Sequence, residues 1–249
     1  MKLPDRYQVL THTILALAAL FVVAMTIGSA EAASVRETVY RIGSASGTGS
    51  AVVIAPGYLV TAAHVIADAG ERGLRISTPR GPRHVTVVFV NEHTDIAIIT
   101  ADVDCPCAEI AQRQVETPAK VVAIGYPLGL PIPTFTFGHV QGVDADGMVY
   151  MTAPITGGTS GGGMFDDRGM LQGVLLATAN DCFGWVQRDD VETVDPTTSV
   201  CTRVHWMSFA STLTDLKTAI LVAAKRLGSD VLAKTIWDPT PQVNLGVRG

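Results

Sequence analysis

The chain has 249 residues, with 18 Lys+Arg against 23 Asp+Glu, a formal net charge of −5 and a hydrophobic content of 47%. This is the composition of a folded globular protein; it excludes collagen-like and disordered chains and offers no basic excess to hold a polyanion, so nucleic acid is not an expected partner. Four Cys are too few for a disulfide-dense miniature scaffold, and the length suits one large domain or two small ones, each able to bury a core.

Lys2 and Arg6 precede a charge-free tract from Thr13 to Ile27, and Ser29-Ala30-Glu31-Ala32 then sets small residues at the two positions a signal peptidase reads. The tract is shorter than the roughly 20 residues that span a bilayer, although Val9 and Leu10 would extend it past Thr11 and His12. Residues 1–32 are therefore expected to be a signal peptide cleaved after Ala32, with an uncleaved membrane anchor at residues 13–27 as the alternative. Either form puts the rest of the chain in an oxidising compartment, secreted or periplasmic, and a membrane is a partner only if the segment stays uncleaved.

From residue 39, short β-rich runs alternate with Gly, Pro and Asp turns. The first set is Val39 to Ile42, Ser50 to Ile54, Tyr58 to Thr61, Arg75 to Ser77, Val85 to Val90 and Ile96 to Thr100. A connector at residues 101–119 contains Pro106, Pro118 and several acidic groups. The second set is Lys120 to Gly125, Thr134 to Val143, Met148 to Thr152, Gly163 to Phe165, Leu171 to Thr178 and Thr202 to Met207. This spacing predicts an all-β sandwich or pair of barrels rather than alternating β/α units. One long helix is predicted, starting near Ser211 or Thr212, carrying Leu213, Leu216, Ile220, Leu221 and Ala224 on one broad face, and stopping at Gly228. The tail at residues 229–249, with Trp237, Pro239 and Pro241, reads as irregular, and there is no internal repeat or low-complexity segment.

Three stretches carry chemistry in the order His, Asp, Ser. Leu59-Val60-Thr61-Ala62-Ala63-His64-Val65 ends an apolar strand in a His, which taken singly reads as a strand cap or gap filler. Thr94-Asp95-Ile96-Ala97-Ile98-Ile99 heads an apolar strand with an acid, alone an ordinary strand-edge carboxylate. Thr156-Gly157-Gly158-Thr159-Ser160-Gly161-Gly162-Gly163 is alone a flexible glycine turn. Together the three make coincidence a poor explanation.

On these residues the sequence resembles the trypsin-like serine peptidases of the chymotrypsin fold, in the manner of the HtrA-type bacterial protease domain and some viral relatives, over roughly residues 39–226. Gly47-Thr48-Gly49-Ser50 with Val52 and Val53, then Gly57-Tyr58, resembles the family's opening hairpin, and Thr61-Ala62-Ala63-His64 its histidine motif. Asp95-Ile96-Ala97-Ile98 is similar to the aspartate motif, and Gly158-Thr159-Ser160-Gly161-Gly162 to the nucleophile motif. Ala123-Ile124-Gly125-Tyr126-Pro127-Leu128-Gly129 resembles the opening of the second barrel, and Leu171-Gln172-Gly173-Val174 the strand beside the substrate. The resemblance implies two packed six-stranded antiparallel β-barrels, at about 33–110 and 117–210, with a helix at 211–227 closing a peptidase domain at 33–228.

A hydroxyl is a weak nucleophile at neutral pH and needs a base within hydrogen-bond reach and a third group to fix that base's tautomer; Ser160, His64 and Asp95 fill these roles. The backbone N–H groups of Gly158 and Ser160 are the candidate oxyanion donors, and Gly157 and Gly158 would permit the unusual turn this needs. Among rival bases, His93 lies too near Asp95 in sequence to take an orienting bond easily, His84 and His139 lack the flanking motif, and His205 reads as a barrel side chain.

The resemblance also places Pro154 at the base of the primary pocket, where relatives that cut after Lys or Arg carry an acid, and Leu176, Ala177 and Thr178 along its entrance. The expectation is a small or medium aliphatic P1 residue, with substrate added as an edge strand along Leu175 to Ala179. Thr159 stands where trypsin-type members carry an Asp that pairs with a new N-terminus, so activation by that route is not expected. A PDZ module like that of HtrA enzymes is not expected in the roughly 20 residues after the helix.

Cys182 and Cys201 flank a polar excursion and are expected to form a disulfide across its base. Cys105-Pro106-Cys107 has neighbours too close to bridge without strain. It resembles the zinc-binding Cys-x-Cys of certain viral proteases, with Cys182, Cys201 or His205 completing a structural site as the alternative. No cofactor or catalytic metal is implied, and the expected partners are protein or peptide substrates. The rival readings are a catalytically silent protein that keeps the fold and an esterase, whose usual Gly-x-Ser-x-Gly elbow is absent.

Overall fold

The computed structural model describes residues 35–44, 47–69, 73–143, 147–181 and 202–236. In chain order the strands are β1 (Val39–Gly43), β2 (Thr48–Ala55), β3 (Tyr58–Ala62), β4 (Arg75–Thr78), β5 (Gly81–Asn91) and β6 (Ile96–Ala101), then β7 (Lys120–Gly125), β8 (Thr134–Val143), β9 (Met148–Met151), β10 (Gly163–Asp166), β11 (Leu171–Asp181) and β12 (Thr202–Ser211). Helix α1 (Ala63–Ala69) follows β3, and α2 (Leu213–Leu227) and α3 (Asp230–Lys234) follow β12. The strands close into two barrels, ordered β1-β2-β3-β6-β5-β4 and β7-β8-β9-β12-β11-β10, with every neighbouring pair antiparallel. This is the predicted all-β pair of six-stranded barrels.

Burial explains why the strand patterns differ. In β2, every residue from Gly49 to Ala55 is buried, and the run is accordingly apolar or small. β5 alternates along most of its length, and its solvent face carries Pro82, His84 and Thr86. One apolar core fills the first barrel with Ile42, Val52, Leu59, Ile76 and Ile98, continues through Ile124, Phe165 and Leu176 of the second, and reaches Leu216 and Ile220 of α2. A smaller core of Val121, Val140, Val149, Met151, Met164 and Leu175 fills the second barrel. The shared core fixes one barrel against the other, as any cleft between them requires.

The connector is stitched to both barrels. Ala108 donates its N–H to the Val53 carbonyl at 2.8 Å, and Leu171 donates to Glu109 at 2.7 Å. The Gln114 Oε1 accepts from the Leu213 N–H at 2.6 Å, which ties the connector to the start of α2. The Thr212 hydroxyl caps that helix by accepting from Asp215 N–H, and Gly228, at φ 61°, ends it.

Four readings need correction. Leu221 is exposed, because the buried stripe runs through Leu213, Leu216, Ala219, Ile220, Ala223 and Ala224, and a residue one step past Ile220 lies about 100° round the helix. The tail is not irregular throughout: Ser229 caps α3, its hydroxyl accepting from Leu232 N–H. His64 does not end a strand but sits in the first turn of α1. Cys105 and Cys107 are joined as a disulfide, since their Cα atoms approach to 4.5 Å, inside the span such a bridge accepts. Cys182 and Cys201 lie outside the described residues, and with them the expected second bridge. Among the described residues no cluster of three or more His, Cys, Asp or Glu could hold a metal, and no helix is long and apolar enough to cross a membrane. The expected signal segment lies outside them.

Candidate active site

Strand register brings His64 to Asp95. In the β3–β6 pair Tyr58 lies opposite Thr100 and Ala62 opposite Ile96, so one step further sets Ala63 opposite Asp95. There the Asp95 carbonyl accepts the Ala63 N–H at 3.0 Å, and its Oδ1 accepts the His64 backbone N–H at 2.8 Å. Its Oδ2 lies 2.6 Å from His64 Nδ1. Two consecutive residues thus occupy all three oxygens of one aspartate, and the carboxylate has no freedom to swing away. Asp95 adopts φ 52°, a left-handed conformation that a short polar side chain tolerates better than most. The His64 side chain is 39% exposed and that of Asp95 29%, so the imidazole is reachable from solvent while its partner is more covered.

Ser160 lies in the turn between β9 and β10, pressed onto the first barrel at the end of β3, where a Cβ at the neighbouring Gly161 would lie 3.0 Å from the Ala62 nitrogen. Its carbonyl accepts the Ser50 N–H of β2 at 2.8 Å. Gly161, at φ 83°, packs so closely that a Cβ there would stand 2.1 Å from the Ser50 carbonyl oxygen and 2.2 Å from Thr61 Oγ1, three residues before His64. Only glycine fits both the angle and the space. The half-buried Ser160 hydroxyl donates to the Leu176 carbonyl at 3.0 Å.

Before Ser160 the backbone turns at Gly158, at φ 91°, where a Cβ would lie 2.6 Å from the Tyr126 carbonyl oxygen and 2.8 Å from the Leu128 nitrogen. Gly157 is open, with nothing near its missing Cβ, so of the two glycines expected to permit the turn only Gly158 is required. The Gly157 carbonyl accepts Leu128 N–H at 2.7 Å, and the Gly158 carbonyl accepts the Ser50 hydroxyl at 2.8 Å. The Thr159 carbonyl accepts Gly162 N–H at 2.9 Å. Among the described residues the Gly158 and Ser160 N–H groups donate to no protein acceptor, whereas Thr159 N–H donates to Thr156. Thr159 is buried, its hydroxyl bonded to the Thr156 backbone, a local closure of the turn.

The other expected site residues separate. Leu176 is buried and presents its carbonyl to Ser160. The Leu175 side chain is fully buried in the second core, and its N–H and C=O are engaged by Gly162 and Gly161, so it faces no substrate and offers no edge. β10 pairs with β11 only as far as Val174, so the unpaired side of β11 opens from Leu176 onward. Ala177 and Thr178 continue β11 against Phe209 and Ser208; the expectations for their side chains lie outside the described residues. Pro154 is exposed between buried Ala153 and Ile155. His84, His93 and His139 are exposed, His93 on the β5–β6 turn and the other two on barrel strands. The side chain of His205 lies outside the described residues.

Sequence reasoning missed Ser50, whose backbone and side chain both reach the Ser160 turn, and the steric role of Gly161. Both lie inside quoted motifs, but nothing in spacing alone ties residue 50 to residue 158.

A family model described as "Trypsin-like peptidase domain" matches residues 47–174, more than half of the chain. A Pseudomonas fluorescens protein named "Probable periplasmic serine endoprotease DegP-like" is 30% identical over 132 residues, which are 49% of this chain and 27% of that one. A Chlamydia trachomatis protein of the same name is 28% identical over 151 residues, covering 56% and 30%. The chain spans less than a third of the length of these curated relatives. Among solved structures, a serine endoprotease from Yersinia pestis superposes with a TM-score of 0.63 at 22% identity, covering 81% of this chain and 67% of that one. The Rv3671c protease of M. tuberculosis in its active form gives 0.60 at 23%, covering 77% and 82%. At these identities the structural likeness speaks to the fold.

Proposed function

The chain belongs to the family of trypsin-like peptidase domains, and from that premise we propose that it is an exported serine endopeptidase that works through Ser160, His64 and Asp95. The observation that carries the reading is the locked His64–Asp95 pair together with the glycine-shaped turn of Ser160 packed on Thr61 and Ala62, the residues that lead into His64. With Nδ1–H donated to Asp95, the imidazole keeps the Nε2 lone pair for the Ser160 proton. As Ser160 Oγ bonds to the scissile carbonyl carbon, that proton passes to Nε2 and the carbonyl oxygen becomes an oxyanion held by the Gly158 and Ser160 N–H groups. The amine then leaves with the proton from His64, and water releases the acyl group by the same route in reverse. The Leu176 carbonyl, which holds Ser160 in the free chain, is positioned to accept an incoming backbone N–H on the unpaired side of β11.

Export is supported by the layout of residues 1–32 and by the names of the DegP-like relatives. For specificity we propose Ala, Val or Leu at P1, because Pro154 supplies no carboxylate to pair with a basic side chain. A peptide library is expected to give cleavage after these residues, and efficient cleavage after Arg would refute the assignment. A second expectation concerns pH: kcat/KM should rise as His64 loses its proton, since only the neutral ring accepts from Ser160. A profile that stays flat across the whole range in which a histidine can titrate would count against His64 as base. The reading as a whole is tested by proteomic mapping of cleavage sites with wild type beside Ser160→Ala: sites present only with wild type support it, and identical profiles sink it.

A further inference from the structure

We infer that the buried hydroxyl of Ser50 is a positioning residue for the oxyanion turn, acting from the opposite barrel. This rests on the reading of Ser160 as nucleophile and of the Gly158 and Ser160 N–H groups as oxyanion donors.

The argument follows the peptide planes. Each peptide from 157–158 to 160–161 has its carbonyl held by one donor. Leu128 N–H holds the first, the Ser50 hydroxyl the second, Gly162 N–H the third and Ser50 N–H the fourth. A trans peptide is rigid, so fixing its oxygen fixes the direction of its N–H. The first and third planes carry the two donors, and the second plane, whose oxygen Ser50 Oγ holds, lies between them. Held at its oxygen by Ser50 Oγ and at its N–H by the Thr156 carbonyl, it couples the two donor planes through the dihedrals of Gly158 and Thr159.

The hydroxyl is used fully. Tyr126 N–H can only donate, and it does so to Ser50 Oγ at 2.8 Å, so the hydroxyl proton is committed to the Gly158 carbonyl at 2.8 Å. Ser50 is 0% exposed, and the Thr61 hydroxyl in turn donates to its carbonyl at 2.7 Å. A Cβ at Gly125 would lie 3.0 Å from Ser50 Oγ, which leaves little room for a water to take over. One side chain of the first barrel thus joins the Tyr126 strand end to the middle of the turn, across 108 residues of sequence.

The test is Ser50→Ala with Ile76→Val, a core substitution in β4 away from the turn, as the control for lost stability. Ser50→Ala should lower kcat about 100-fold, the order expected when an oxyanion donor is misaligned, with KM within about twofold. Affinity for a peptide aldehyde, which forms an oxyanion on Ser160, should fall by a similar factor, while affinity for the matching peptide alcohol should hold. Ser50→Cys, a weaker donor of similar shape, should fall between, and it carries the test if the alanine variant does not fold. Near wild-type kcat in Ser50→Ala, with Ser160→Ala inactive, would overturn the inference and leave the proposed function standing. So would a loss shared equally by aldehyde and alcohol, or one matched by Ile76→Val at the same drop in Tm. A folded wild type that neither turns over peptide nor labels at Ser160 would instead overturn the reading beneath it.

Discussion

Ser160→Ala is expected to lower kcat/KM by a factor on the order of 10⁵ to 10⁶, with the fold intact. The substitution removes one oxygen whose only protein bond among the described residues is the 3.0 Å donation to Leu176, so it opens no cavity of consequence and orphans only a carbonyl on the unpaired side of β11. A loss of this size therefore reports chemistry. The residual activity, about 10³ to 10⁴ above water, would come from the oxyanion donors and binding alone. The measurement is steady-state hydrolysis of a peptide ending in Ala, Val or Leu at the scissile bond, with circular dichroism beside it. Activity within tenfold of wild type would mean that another group attacks the carbonyl.

The second large effect is Asp95→Asn, expected to lower kcat by about 10⁴ with little change in KM. The carboxylate faces two donors on one residue, the His64 backbone N–H at Oδ1 and Nδ1–H at Oδ2. An amide offers one acceptor and one donor, so it satisfies only one of them. If its oxygen takes the backbone N–H, its NH₂ faces Nδ1, and the ring must carry its proton on Nε2, where it has nothing with which to accept from Ser160. If the amide is reversed, the buried backbone N–H loses its partner. The first orientation disables the base; the second keeps it but sets an amide NH₂ against a backbone N–H, so the first is favoured, and neither alters the substrate-facing surface. A variant that loses KM and kcat in equal measure would show that Asp95 acts through the fold and not through the ring.

Much of this was legible in the sequence because the local rules agree. The strand runs carry β-branched residues between Gly, Pro and Asp turns, and all twelve appear in order. Thr212 and Gly228 mark the ends of α2 by cap chemistry that needs no tertiary context. His64 and Asp95 could be paired because each abuts an apolar strand, and antiparallel register does the rest.

What escaped depends on contacts between distant segments. Ser50 looks like any small residue in a buried strand until β2 is laid against the turn at residues 158–160. Gly161 is one of several glycines in a run, and only the approach of Ser50 and Thr61 shows why it must lack a side chain at φ 83°. Leu221 misled because an apolar residue beside a buried one reads as the same face, while the helix had small Ala219 and Ala223 to bury instead. Leu175 lies in the run expected to line the substrate, but strand alternation turns it into the second core and Gly161 and Gly162 take its backbone.

The most direct test of the account is the reaction of the folded chain with a fluorophosphonate, read by intact mass and peptide mapping. An activated hydroxyl next to oriented oxyanion donors should take up one equivalent, at Ser160, and His64→Ala should abolish the uptake. A folded chain that gains no adduct, or gains one on a different side chain, would contradict it.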